Sequence, residues 1–159
     1  MYIENQFVRE WRESHPHRLA PSSEVRKFFE YLDNLHWSGS RLDWSRLSSL
    51  HIPFGEGDPQ PSWVDNFTNT PIGNHRHLLV AYAPNQDALI ARTGELLADI
   101  DLLYAGSPGP RYFCGAEIVN ERLHLAVEDF AEFSESGVLV HIPAPARDTV
   151  TPDRNNPRT

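Results

Sequence analysis

Two histidines, His75 and His77, have the clearest spacing for metal chemistry in this sequence. Residues two apart on a strand share a face, so both imidazoles could reach one metal ion. One known way to complete such a site is a carboxylate a few residues later together with a further histidine from another strand. Residues 78–86 contain no Asp or Glu, and the further ligand would have to be His124 or His141. This gap favours ordinary histidines at a polar strand end, and we expect no bound metal and no cofactor.

Three other residues could take part in catalysis. Asp99 and Asp101 could hold Mg²⁺ beside a phosphate, but the sequence has neither a GxxxxGK[ST] loop nor a GxGxxG loop to cradle one. Cys114 lies in an apolar run without the neighbouring cation that stabilises a reactive thiolate, so we expect a small core residue. A GxSxG elbow is also missing. An enzyme site assembled from these residues, His75 and His77 stays an alternative.

The acidic balance of the chain is confined to one part of it. Residues 1–50 carry seven acidic and seven basic side chains, whereas residues 51–159 carry fifteen acids and seven arginines, which gives the net charge of −8. Within residues 117–135 there are six acids and a single arginine. Such a segment would be repelled by nucleic acid and would attract a basic protein.

We therefore predict that this segment binds a partner. The predicted surface combines six acids with two aromatic residues: Glu117, Glu121, Glu128, Asp129, Glu132, Glu135, Phe130 and Phe133. The carboxylates would steer a basic partner and the two rings would supply anchoring area. The alternative is that the phenylalanines belong to the core and that the acids are only solvated.

Periodicity places these residues in an α+β fold. Residues 2–13 and the stretch from Ser22 to Leu35 have apolar side chains at helical spacing. A third helix is predicted from Asn85 to Ile100, with Asn85 as its N-cap. Residues 53–74 are rich in proline and glycine, which favours a long loop in which Trp63 and Phe67 provide the packing.

The remaining patterns predict strands. His77–Ala83 is apolar on both faces, the next two runs alternate with period two and meet in a hairpin at Val119–Arg122, and a last strand covers Val138–Ile142. We expect a mixed or antiparallel sheet of about four strands in the order β-α-β-β-β, with the helices packed on one face.

These elements predict one domain over residues 1–142. It comprises a helical layer (1–50), the loop (53–74) and the sheet portion (75–142), and a proline-rich tail (143–159) is expected to be disordered. No apolar run approaches the length of a membrane span. The N-terminus lacks the features of a signal peptide, and the single cysteine excludes an internal disulfide. We expect a cytoplasmic protein.

In size, charge and lack of catalytic motifs the chain resembles the immunity proteins of bacterial toxin systems. That resemblance implies a non-catalytic protein that binds and neutralises a basic effector such as a nuclease toxin. A scaffold or oligomerisation subunit that uses the aromatic N-terminal helices is a further alternative. The sequence indicates neither the partner nor the oligomeric state.

Overall fold

A large antiparallel sheet forms the centre of the molecule. The computed structural model describes residues 6–54, 61–84, 88–100, 111–134 and 137–143. Within these residues seven strands form the sheet. All neighbouring strands in it are antiparallel. The predicted α+β class is confirmed, whereas the predicted four-stranded order is wrong.

The helices and strands occupy the following segments. The helices are α1 (Gln6–Ser14), α2 (Ser22–Asp33), α3 (Pro61–Thr68) and α4 (Thr93–Ala98). The strands are β1 (Arg18–Leu19), β2 (Trp37–Ser38), β3 (Arg41–Leu42), β4 (Ser49–Pro53), β5 (His77–Ala81), β6 (Leu89–Arg92), β7 (Arg111–Val119), β8 (Arg122–Ser134) and β9 (Gly137–His141). Two short 3-10 helices, Trp44–Arg46 and Ile72–Asn74, complete the described elements. The seven strands of the large sheet lie in the order β1-β6-β5-β7-β8-β9-β4, and β2 and β3 form a separate two-stranded ribbon.

Helices cover both faces of the sheet, which corrects the expectation of a single helical layer. One core contains the apolar residues of α1, α3 and α4 together with Leu78, Phe113 and Phe133 of the sheet. The other contains those of α2 together with Leu79 and Phe130. Leu78 and Leu79 enter different cores because successive side chains of a strand point to opposite faces. We call these the α1 face and the α2 face.

The short strand β6 was predicted as part of a helix. Leu89, Ile90 and Ala91 are all buried, because β6 is covered on both faces. An apolar run of this length does not distinguish a buried strand from a buried helical turn, so periodicity alone gave the wrong element. The real helix, α4, begins only at Thr93.

The N-terminal third and the expected loop also differ from the prediction. The N-terminal region supplies the two outermost strands of the sheet, β1 and β4, and is not a purely helical layer. Because β4 lies at an edge, it buries only Ile52 and shows no clear alternation. The segment predicted as loop contains α3, in which Trp63 and Phe67 are buried as expected. The one-domain assignment stays a prediction, and residues 144–159 of the tail lie outside the described residues.

The predicted hairpin between β7 and β8 is confirmed. Val119 pairs with Arg122, and the two residues between them, Asn120 and Glu121, have φ angles of 50° and 67°. Two successive left-handed residues are the signature of a type I′ turn, whose twist matches that of the flanking strands. The turn therefore forms without the usual glycine.

A bulge in β8 changes which side chains face each core. Cys114 of β7 pairs with Phe130, but the next residue, Gly115, pairs with Ala126, so residues 127–129 have no opposite residue on β7. Successive side chains of a strand point to opposite faces. An odd number of unpaired residues, here three, therefore reverses the face to which the later side chains of β8 point. Leu125 before the bulge and Phe130 after it therefore both face α2. Phe133 consequently points to the α1 face.

Phe133 offers a test of this arrangement. Its ring centroid lies 4.1 Å from that of Phe113, and the side chain is 1% exposed. Because truncation removes buried aromatic contacts and leaves a cavity, Phe133→Ala should lower the free energy of unfolding by about 3–5 kcal/mol in urea denaturation. The control Val119→Ala, at a side chain that is 53% exposed, should stay within about 0.5 kcal/mol of the wild type. Equal small effects of both changes would contradict a core position for Phe133.

Candidate functional site

A histidine held between two carboxylates is the most developed polar cluster in the described residues. The Nδ1 atom of His75 lies 2.5 Å from Oε2 of Glu117, and Nε2 lies 2.7 Å from Oδ2 of Asp129. The side chains of His75, Asp129 and Glu117 are 16%, 21% and 49% exposed. We call these three residues the His75 cluster.

The fold brings the three residues together from three separate segments. His75 follows the 3-10 helix Ile72–Asn74, and its carbonyl oxygen accepts a hydrogen bond from the hydroxyl of Thr93 at 2.6 Å. Glu117 lies on β7, and Asp129 is the last residue of the bulge in β8. The odd number of inserted residues turns Asp129 toward the α1 face, where His75 lies.

Gly115 makes room for the imidazole ring. A Cβ atom on this residue would lie 2.3 Å from Cδ2 and 2.7 Å from Nε2 of His75. Real Cβ atoms do not approach another carbon so closely. The ring therefore packs directly on the β7 backbone at the position where the bulge begins.

The environment favours the charged form of the ring. Burial lowers the pKa of His75, but the hydrogen bonds to Asp129 and Glu117, together with the negative charge of both carboxylates, raise it above the ordinary value of 6.5. Both ring nitrogens donate when each is paired with a carboxylate, which requires the imidazolium. The cluster then carries one positive and two negative charges.

This arrangement limits what His75 can do chemically. A general base or a metal ligand needs a ring nitrogen with a free lone pair. Both nitrogens of His75 are engaged, so the ring instead orients Glu117 and Asp129 and neutralises part of their charge. A cationic side chain of another molecule is the ligand type that the remaining negative charge favours.

The structure separates the residues of the predicted partner surface into three groups. Glu117, Glu121 and Glu128 are exposed, and Asp129 is partly exposed. Phe130, Phe133 and Glu132 are 0%, 1% and 3% exposed, so these three are interior residues that a partner cannot contact. Glu135 lies outside the described residues.

Phe130 and Glu132 make specific contacts in the interior. The ring of Phe130 packs against Trp44 and stacks on His141 at centroid distances of 5.5 and 4.6 Å. Glu132 accepts a hydrogen bond from the indole of Trp44 at 2.8 Å, and its other oxygen lies 3.5 Å from the guanidinium of Arg41. A buried carboxylate needs such partners because desolvation of an unpaired charge is costly.

The proposed pairing of His75 and His77 on one face does not occur. His75 lies over Gly115 on the α1 face, because it precedes β5 and is not part of the strand. His77 pairs with Ala116 on β7, which places it on the α2 face. Across the described ranges, no group of three or more His, Cys, Asp or Glu side chains is arranged to hold a metal ion.

The other catalytic candidates are also apart. The carboxylate of Asp99 lies 2.8 Å from Nε2 of His15, which stacks on Trp11. Asp101 lies outside the described residues, so the proposed acidic pair is not compared. Cys114 is fully buried, and burial followed by the charge of Asp129 raises the pKa of its thiol, so it is a core residue.

The chain was compared with known proteins. No protein-family model, curated protein or solved structure matches it. A search of the described helices found none with the length and apolar character needed to cross a membrane.

Sequence reasoning had identified all three members of the His75 cluster but had assigned them to competing hypotheses. His75 was a metal-ligand candidate, whereas Glu117 and Asp129 belonged to the acidic surface. No spacing rule connects these three residues, because their contact depends on the bulge in β8 and on the absence of a side chain at Gly115. The glycine between Cys114 and Ala116 in an apolar strand was the one available signal, since an interior strand glycine often marks a bulge or a close approach.

The raised pKa of His75 predicts a pH-dependent contribution to stability. Because the folded-state pKa lies above 6.5, the contribution is complete below that value and is lost as the pH rises through the folded-state pKa. His75→Gln should lower the free energy of unfolding by about 1–2 kcal/mol near pH 5.5. The difference from the wild type should shrink toward about pH 9, as measured by urea denaturation across this range.

A matched control is His36→Gln, which removes an imidazole at an exposed position outside the large sheet. Its effect on the free energy of unfolding at pH 5.5 should stay within about 0.5 kcal/mol. A difference between wild type and His75→Gln that stays constant or grows with pH would contradict the charged cluster.

Gly115→Ala tests the packing of the ring. The added methyl group should displace the His75 ring and break its bonds to both carboxylates, with a loss of about 1–3 kcal/mol in the free energy of unfolding. The same change in a His75→Ala background should cost clearly less, because the clashing ring is gone. Additive losses in the double variant would show that the collision with His75 is not the cause.

Proposed function

We propose that this protein is a non-catalytic acidic binding module that recognises a basic protein partner. The best-fitting biological role is that of an immunity or antitoxin-like protein, which acts in the cytoplasm and neutralises a basic bacterial effector such as a nuclease toxin. The proposal rests on the charge distribution and on the exposed acids of the β7–β8 hairpin.

The single observation that carries the proposal is a group of three exposed carboxylates on this hairpin. Glu117, Glu121 and Glu128 are all exposed. Within the described residues none of them forms a salt bridge with an arginine or lysine, and Glu117 is paired only with His75. Carboxylates left uncompensated on an ordered scaffold speed association with a basic partner and suppress acidic competitors.

The hairpin also supports recognition because it holds these groups in place. Glu121 belongs to the tight turn and Glu128 to the bulge, and paired residues of β7 and β8 flank both segments. His75 holds Glu117 through its Nδ1 atom. Groups that are already ordered lose less conformational entropy when a partner binds.

Apolar anchoring contributes less than the sequence suggested. Phe130 and Phe133 are buried. The large apolar side chain that remains exposed on the hairpin is Val119, at 53%. Affinity for a partner would therefore depend mainly on charge and should fall with added salt, since exposed charges are screened over about 8 Å at physiological ionic strength.

Charge reversal on the hairpin tests the proposal. The double change Glu121→Lys and Glu128→Lys alters two exposed acids and leaves Glu132 and the His75 cluster intact. It should weaken binding to the purified basic partner, first isolated by affinity capture from the parent organism, by about tenfold or more in calorimetric titration. Wild-type affinity should also decrease steadily with salt concentration.

The matched control reverses two exposed acids of α2, Glu30→Lys and Asp33→Lys. It changes the net charge equally but lies on a different element. A comparable loss in both double variants would assign the effect to overall charge, and unchanged affinity in the hairpin variant would exclude the hairpin as the binding surface.

A further inference from the structure

A cavity of about 390 Å³ opens beside β1 and β6 and borders the β7–β8 hairpin at Ile118. Four of the residues that line it are basic or imidazole side chains, and one is an acid. The lining includes His17, Arg18, His77, Arg92, Glu95 and the apolar residue Ile90. In a chain of net charge −8, two arginines and a single acid in one cavity are unexpected.

Strand register places two arginines and one histidine of the cavity lining on the same face of the sheet. Arg18 of β1 lies opposite Ile90 of β6, and His77 of β5 lies opposite Arg92 of β6. Opposed residues of an antiparallel pair share a face, and residues two apart on one strand do as well. Arg18, His77 and Arg92 therefore all lie on the α2 face, around Ile90.

The charges in this cavity are not balanced by the described residues. Neither Arg18 nor Arg92 forms a salt bridge with an acid of those residues. Burial lowers the pKa of His77, and the positive charges of Arg92, Arg76 and Arg18 lower it further against the opposing effect of Glu117. Two guanidinium groups without an acidic partner in the described residues give the cavity a positive potential that a bound anion would offset.

The other polar groups of the cavity leave this imbalance in place. His17 accepts a hydrogen bond from Nε of Arg12 at 3.2 Å, and its Nδ1 lies 3.0 Å from the carbonyl oxygen of His15. Both ring nitrogens of His17 are therefore engaged within the chain. Glu95, the one carboxylate in the lining, compensates at most one of the two guanidinium groups.

Apolar residues define the rest of the ligand type. Ile90, Ala91, Ile118 and Pro16 form the non-polar part of the lining. The volume falls in the range of sites for small organic molecules, which combine apolar walls with a few well-placed polar groups. Guanidinium groups are suited to carboxylate and phosphate oxygens.

We infer that this cavity binds a small organic anion, a phosphomonoester or carboxylate on an apolar body, whose charged end lies between Arg18 and Arg92. Arg18 and Arg92 do not belong to the proposed partner surface, and the cavity borders the hairpin at Ile118. A ligand here would place His77 beside an anion and favour its protonated form.

Phenyl phosphate and benzoate are suitable probes, with phenol as the uncharged control and ionic strength held constant. Calorimetric titration of the full chain should show saturable binding of at least one anion and none of phenol. In NMR titrations of the histidine ring signals, bound anion should raise the pKa of His77. The stronger of the two anions distinguishes a phosphate site from a carboxylate site.

The double variant Arg18→Gln and Arg92→Gln should weaken anion binding by about tenfold or more, because two charge-assisted contacts are lost. Arg26→Gln, which removes an exposed arginine of α2 outside the cavity lining, should bind like the wild type. Thermal unfolding verifies that both variants are folded, and the His77 titration in the wild type gives a result that needs no variant.

Three outcomes would overturn the inference. These are no binding of either anion up to about 10 mM, unchanged affinity in the Arg18→Gln and Arg92→Gln variant, or an unchanged His77 pKa at saturation. None of them bears on the hairpin surface, which the charge reversals at Glu121 and Glu128 test separately.

Discussion

The bulge in β8 is the constraint on which most of this structure depends. By inserting three residues opposite the Cys114–Gly115 step, it reverses the direction of every later side chain in the strand. Phe130 thereby joins the core beneath α2, and Phe133 joins the core beneath α1, α3 and α4. A sheet with helices on both faces needs such large apolar groups on both sides, and one strand supplies them here.

The same bulge determines the fate of the acids. It turns Asp129 toward His75 and leaves Glu128 in solvent, while Glu132 returns to the interior beside Trp44 and Arg41. The five of these six acids that lie within the described residues thus occupy different environments, although they look equivalent in the sequence. The described ones that remain exposed on the hairpin are best suited to long-range attraction of a basic partner, because those in the interior already have their own partners.

The two faces of the sheet consequently differ in electrostatic character. The His75 cluster leaves a net negative charge on the α1 side, whereas Arg18 and Arg92 gather positive charge on the α2 side at the β1 end. The total charge of −8 describes neither region.

Features that depend on local order could be predicted from the residues alone. The apolar stripe of α2, the alternation in β7, the turn at Asn120–Glu121 and the burial of Trp63 and Phe67 all follow from neighbours within a few residues. Only the tertiary structure decided that β1 and β4 join the sheet, that Leu89–Arg92 is a strand, and that His75, Glu117 and Asp129 meet. The physical reason is that pairing partners and bulges are set by packing between distant segments, which leaves no periodic signal in the chain.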